Sequence, residues 1–331
     1  MSRHGVALVF RQEFLVRYRT GRWRWLMAAW VGVVFLFTVL FEAGFSSSFS
    51  SYRGSLAWAG ERWQGIPLFG ALMLFVLALA LIISPALTAQ SINGDRERGT
   101  LATLQITRLA AGDIAVGKLL AGWAVGVGAL ALTLPFVGWS ILRGGVGIWR
   151  AAVVLFVVAL LVGVVCAVSQ ALSAMLARSI TSALLSYVTV FALSLGTLLA
   201  FVLALPLSGG GYYGDREDRV WWLVAPNPFV VLADSAPQVP MKRDPKTGDL
   251  EAPPVGDPLG EIGRDVRRMR FSPEEERAYY DSYDGSGDWP TSPVWPYGLA
   301  FNLLLGAGSV MITVRRLQTP VRELTKGTRI A

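Results

Sequence analysis

The chain has almost no cysteine or histidine. Among 331 residues there is one of each, Cys166 and His4. A single cysteine excludes an internal disulfide and any multi-cysteine metal site. His4 stands near a terminus and reads as a solvated residue. Charge is scarce as well: 16% of residues are Asp, Glu, Lys or Arg, against about 25% in soluble domains. No nucleophile and base are placed for mutual reach, so no catalytic set is read. What fills the chain instead is apolar. Hydrophobic residues make up 53%, and the mean hydropathy is +0.48. Several runs reach the ~20 residues that cross a bilayer as a helix. The composition excludes a soluble enzyme and predicts an all-α polytopic membrane protein.

Six apolar runs are expected to span, at 25–41, 66–90, 119–142, 151–177, 183–207 and 294–314. They divide the chain into an N-terminal segment (1–24), a block of five spans (25–207), a long loop (208–293), a last span (294–314) and a tail (315–331). Pro85 falls in the last turns of the second run and should kink or end it, because it removes a backbone donor. The N-terminal segment carries six arginines, Arg3, Arg11, Arg17, Arg19, Arg22 and Arg24. Val6, Val9, Phe10 and Phe14 recur among them at helical spacing. A basic amphipathic helix before a span should lie in the headgroup plane. Arg11, Glu13 and Arg17 are its candidate polar contacts. No clear small-residue cleavage site follows the first apolar run, so no removable leader is expected.

The net charge of +7 is partitioned. Residues 208–293 hold 16 acidic and 10 basic residues, and the remainder holds 7 acidic and 20 basic. Most of the basic surplus sits near span ends, where it sets topology, so no nucleic-acid partner is expected. Six spans put both arginine-rich termini on one side. The positive-inside rule makes that side cytoplasmic and leaves 208–293 outside. Within that loop, 220–233 is apolar but too short to cross, and Pro226 and Pro228 interrupt it. An interfacial or re-entrant element is expected there. Residues 235–290 read as largely irregular, with a short helix at 273–282.

Between the second and third spans lies the stretch 91–118, with the densest short run of charge in the chain's first half after the N-terminus: Asp95, Arg96, Glu97 and Arg98. Asn93-Gly94-Asp95 signals a turn, and Asp95 suits the start of a helix. Gly112 to Lys118 matches the first seven positions of a phosphate-binding loop. Leu119 stands where Ser or Thr must hold magnesium, no strand precedes it and a span follows, so the match is read as coincidence. No cofactor is expected to bind this chain. As drawn, the six spans contain no Asp, Glu, Lys, Arg or His, which disfavours an ion-coupled carrier. Energy for any transport should then enter through a soluble surface.

Glu97-Arg98-Gly99-Thr100-Leu101, then Leu104 and Thr107, then Gly117-Lys118, resemble the signature of ABC-2 type permeases. Phe10-Arg11-Gln12-Glu13-Phe14 is similar to that family's N-terminal interfacial helix. The six-span plan with a loop between the last two spans also fits. Ala102 and Arg108 depart from the family, which often has an acidic residue and a proline there, and the 208–293 loop is unusually long. The resemblance implies the membrane subunit of an ABC exporter in the plasma membrane. It implies a separate ATPase subunit that hydrolyses ATP, and a second permease chain, identical or not. It implies a cytoplasmic coupling helix near 95–110, whose ATPase contacts would be Asp95, Arg96, Glu97, Arg98, Gly99, Thr100 and Leu101. Two other readings stand beside it: a non-transporting scaffold that presents 208–293 to a partner, and a channel or secondary carrier. The cargo is not readable from these residues.

Overall fold

Inside hydrocarbon there is no water to satisfy backbone N–H and C=O groups, so long apolar runs must close their own hydrogen bonds as helices. The computed structural model bears this out. It describes residues 2–19, 22–51, 64–99, 109–209, 216–238, 242–243, 250–251, 256–272, 274–275 and 292–318. Among these, six helices are long and apolar enough to cross a membrane.

The chain opens with α1 (Arg3–Arg19) and the first long helix α2 (Arg22–Ser51). Next come α3 (Gly65–Thr88) and a five-residue helix α4 (Asn93–Glu97). They are followed by α5 (Ala111–Leu142) and α6 (Ile148–Met175). The fifth long helix is α7 (Ser179–Phe191), which passes through a π turn (Ala192–Gly196) into α8 (Thr197–Ala204). Two short helices, α9 (Pro228–Ser235) and α10 (Pro258–Arg268), precede the last long helix α11 (Trp295–Gln318). A two-residue antiparallel ribbon pairs Lys242 with Glu251 and Arg243 with Leu250.

Helices α3 and α6 form the centre. Phe69, Leu72, Met73, Val76 and Leu77 of α3 are buried in one cluster with Val154, Val158, Leu161, Val162 and Cys166 of α6. Both helices are apolar on every side, which suits an interior position. Their neighbours approach closely where side chains are small. A β-carbon on Gly298 of α11 would overlap the carbonyl oxygen of Ala225. By contrast α2 and the α7–α8 helix lie at the periphery, with Phe35, Leu40, Leu184, Leu199 and Leu203 exposed.

The apolar segment 220–233 does not cross. Two 3-10 turns lead into α9, whose start is capped by Asn227: its side-chain oxygen accepts from the N–H of Phe229 at 2.9 Å. Helix α9 is buried among α3, α6, α10 and α11 rather than laid on the surface. The amide of Asn227 also donates to the Ser194 carbonyl at 2.6 Å, inside the π turn, and to Thr197 Oγ1 at 2.9 Å. A π turn frees a carbonyl from the regular ladder, and here Asn227 takes it up.

The expectation of a largely irregular 235–290 did not include α10. Leu259, Ile262 and Val266 recur at helical spacing, Pro258 occupies the first turn and Arg267 and Arg268 the last. All three are start and stop signals of a helix. Of the helix expected at 273–282, Glu274 and Glu275 are helical, and the rest lies outside the described residues. Helix α10 is fastened by buried charge. Arg150, in the first turn of α6, donates to both carboxylate oxygens of Asp257 at 2.7 and 2.6 Å. The carboxylate of Asp234, at the end of α9, pairs with Arg267. It also accepts the N–H groups of Val294 and Trp295, each at 2.6 Å, and so caps α11.

Candidate functional site

The other end of the bundle gathers the residues singled out in the sequence. Helix α5 begins at Ala111, eight residues before the span drawn from hydropathy alone. Its 32 residues measure about 48 Å at 1.5 Å per residue, well beyond a ~30 Å hydrocarbon core. The first turns therefore carry polar groups without leaving the helix. Asp113 Oδ2 accepts from the N–H of Ala110 at 3.2 Å and Oδ1 accepts from that of Ser2 at 2.8 Å. The segment Gly112–Lys118 is helical throughout, so it has none of the curvature of a phosphate-binding loop.

Lys118 is the centre of the site. Its side chain is 1% exposed and its ammonium donates to two carboxylates, Glu13 of α1 and Asp95 of α4. Asp95 in turn accepts from Arg98 at 3.0 Å. A lone buried ammonium would be driven to lose its proton; two carboxylates and a second cation make the cluster tolerable. This corrects the expectation that the long helices hold no charge. Lys118 and Asp113 in α5 and Arg150 in α6 are all buried. The hydropathy boundaries at 119 and 151 had placed them outside.

The position of α1 follows from small residues along α5. Gly5 lies beside Asp113, Val9 beside Gly117, Glu13 at Lys118 and Arg17 beside Gly122. A β-carbon on Gly117 would stand 2.6 Å from that of Val9. Helix α1 thus runs along the first three turns of α5, in the same direction. Arg11 is exposed, Glu13 turns inward and Arg17 is half-buried. The exposed Leu8, Leu15 and Val16 leave an apolar surface on α1 beside its arginines.

Helix α4 is anchored by the spans around it. Ser173 Oγ of α6 accepts from the N–H groups of Ile92 and Asn93, both at 3.1 Å, which satisfies two of the orphan donors at its start. Arg96 donates to the Ala174 carbonyl at 3.4 Å. Glu97 accepts from the hydroxyl of Ser179 at 2.7 Å and from its N–H at 3.2 Å, at the first residue of α7. Ser182 Oγ of α7 donates to the Ala89 carbonyl at 2.6 Å. Ile92, Ile114, Ala174 and Leu317 close the underside.

Of the seven residues predicted for one contact surface, Asp95 is buried, while Arg96, Glu97 and Arg98 are exposed. Gly99 has φ +71°, a conformation that favours glycine. Thr100 and Leu101 lie outside the described residues, as do Leu104 and Thr107. Sequence reasoning missed Ser173, Ser179 and the pairing of Glu13 with Lys118. Nothing in one sequence pairs residues as remote as Glu13 and Lys118.

Among the described residues no group of three His, Cys, Asp or Glu could hold a metal ion. The site is an ion-paired joint, in which α1, α4, α5, α6 and α7 meet. No protein-family model matches the chain, and no curated protein matches it.

Proposed function

We propose that the chain is the membrane subunit of an ATP-driven exporter of the ABC-2 type, working with a separate ATPase and a second permease chain. The observation that carries this reading is the joint itself. Arg96, Glu97 and Arg98 stand exposed on a helix that is fixed to three others. Force applied there by a soluble partner would be delivered to α5 through Lys118, to α6 through Ser173 and to α7 through Ser179. Domain closure acts by such rigid elements repacking between discrete arrangements.

The sequence resemblance assigned all of 95–101 to the ATPase contact. In the proposed arrangement the roles divide. Arg96, Glu97 and Arg98 face the ATPase, Gly99 makes the turn, and Asp95 holds the helix in place from within. Glu13 links α1 to the same lysine, so the N-terminal helix moves with the joint. Six helices that bury little charge at mid-span suit a path reshaped by an external motor rather than by a proton relay.

The test is a pull-down of the tagged chain from gently solubilised native membrane. A Walker-motif ATPase should co-purify. Arg98→Glu, which reverses an exposed cation of the tip, should reduce the recovered ATPase at least tenfold without lowering the amount of chain, and Glu97→Lys should act in the same direction. Absence of any ATPase from native membrane would overturn the proposal and move a scaffold role for 208–293 to first place.

A further inference from the structure

An open groove of about 800 Å³ runs between α1 and α5. Its walls are apolar: Val6 and Phe10 on one side, Leu120, Trp123 and Val127 on the other. At one end stands Arg3, exposed and without an ion-pair partner among the described residues. The nearest carboxylate on α5, Asp113, is 3% exposed and is already bonded to two N–H groups. From Val116 to Val127 the groove follows α5 for about 16 Å at 1.5 Å per residue. The cationic end lies at the first turns of α5, where the helix overruns the hydrocarbon core. Beyond Val127, Ala131 and Leu134 continue the same face of the helix by its 3.6-residue period, and both are exposed. The indole N–H of Trp123 is engaged by the Ala159 carbonyl at 2.7 Å, which fixes the ring as a wall.

We infer that this groove holds one anionic phospholipid, its acyl chain along Trp123 and its phosphate at Arg3. A cation at the headgroup level and an apolar channel descending from it are the two parts of such a ligand in the right order. The groove also continues into the surface that α5 turns to hydrocarbon, so lipid reaches it sideways without any opening of the bundle. Bound there, the lipid would brace α1 against α5 next to the Glu13–Lys118 pair. This inference does not depend on the transport reading.

The test uses the full chain in phosphatidylcholine nanodiscs. Either phosphatidylglycerol or phosphatidylcholine with brominated acyl chains is added in rising fraction. The readout is quenching of Trp123, taken as the difference between the protein and its Trp123→Phe variant. Brominated phosphatidylglycerol should half-quench at a fraction about fivefold lower than brominated phosphatidylcholine, the effect of about one basic contact near a membrane surface. Arg3→Gln, an exposed change that leaves the fold alone, should bring the two curves together. Coincident curves in the unaltered protein would overturn the inference, as would an anionic preference that survives Arg3→Gln. Trp123 untouched by either lipid would also overturn it, with a protein surface as the occupant instead.

Discussion

Replacing Lys118 by methionine removes one ammonium and leaves two carboxylates facing the space it filled. The stem is kept, so little packing is lost. Breaking a buried pair by deleting one partner costs about 3–5 kcal/mol. Two features place this case at the low end. Glu13 is 24% exposed at its side chain and can rehydrate, and Asp95 keeps Arg98 at 3.0 Å. The expected loss is about 3 kcal/mol, or roughly a hundredfold in the equilibrium for opening the joint. The chain carries its own reporter. Cys166 is its one thiol, fully buried, and lies beside Ser84 and Thr88 one helical stretch below the joint. A thiol-reactive fluorophore in excess should label it about a hundredfold faster in Lys118→Met, where opening is in rapid equilibrium. Adding Asp95→Asn to Lys118→Met removes one of the stranded carboxylates and should recover about half of that loss on the logarithmic scale. The two changes are thereby coupled rather than additive. Labelling of Lys118→Met within threefold of the unaltered protein, with additive effects in the double variant, would refute the claim that this lysine holds the joint.

Two further outcomes are expected. Gly298→Ala should cost about 1–3 kcal/mol by overpacking, because its new methyl group meets the backbone of Ala225, whereas Gly308→Ala, which faces open space, should be neutral; heat-challenge recovery by size exclusion separates them. Arg150→Met should cost about 3–5 kcal/mol by stranding the Asp257 carboxylate, and Arg150→Met with Asp257→Leu should regain most of it; the same recovery assay reads both.

The helical framework was legible because hydrocarbon leaves the backbone few options. Each apolar run of the right length became a helix, although α2 runs ten residues past its expected end and α5 starts eight before its expected beginning. The errors lie at the ends and share one cause. Hydropathy stops counting at the first charge, and α5 and α6 continue past theirs because Lys118 and Arg150 find buried partners elsewhere. Those partners, Asp95 with Glu13 and Asp257, are remote in sequence, and no local pattern announces them. Helix α10 is a different kind of miss. Its Pro258 and its Leu259, Ile262, Val266 spacing were readable, but they sit in acidic, proline-rich surroundings that resemble linker. At the joint, the charge run 95–98 was visible and its division was not. Which of four consecutive charges turns inward depends on where Lys118 and Ser179 stand, which is a property of the assembled bundle.

The anchoring of the long segment before α11 has a consequence for how this chain can change length. Arg270 donates to the Ser292 carbonyl at 2.9 Å, and Asp234 grips both Arg267 and the N–H groups of Val294 and Trp295. The chain is therefore closed on itself between Arg270 and Ser292. For such a closed excursion the entropy of closure grows only with the logarithm of its length. Doubling it costs about 0.6 kcal/mol, less than the loss of a single buried ion pair. The six helices are indifferent to what is strung between those two anchors. Insertions, deletions or a whole appended module can accumulate there while the membrane-embedded part stays as it is.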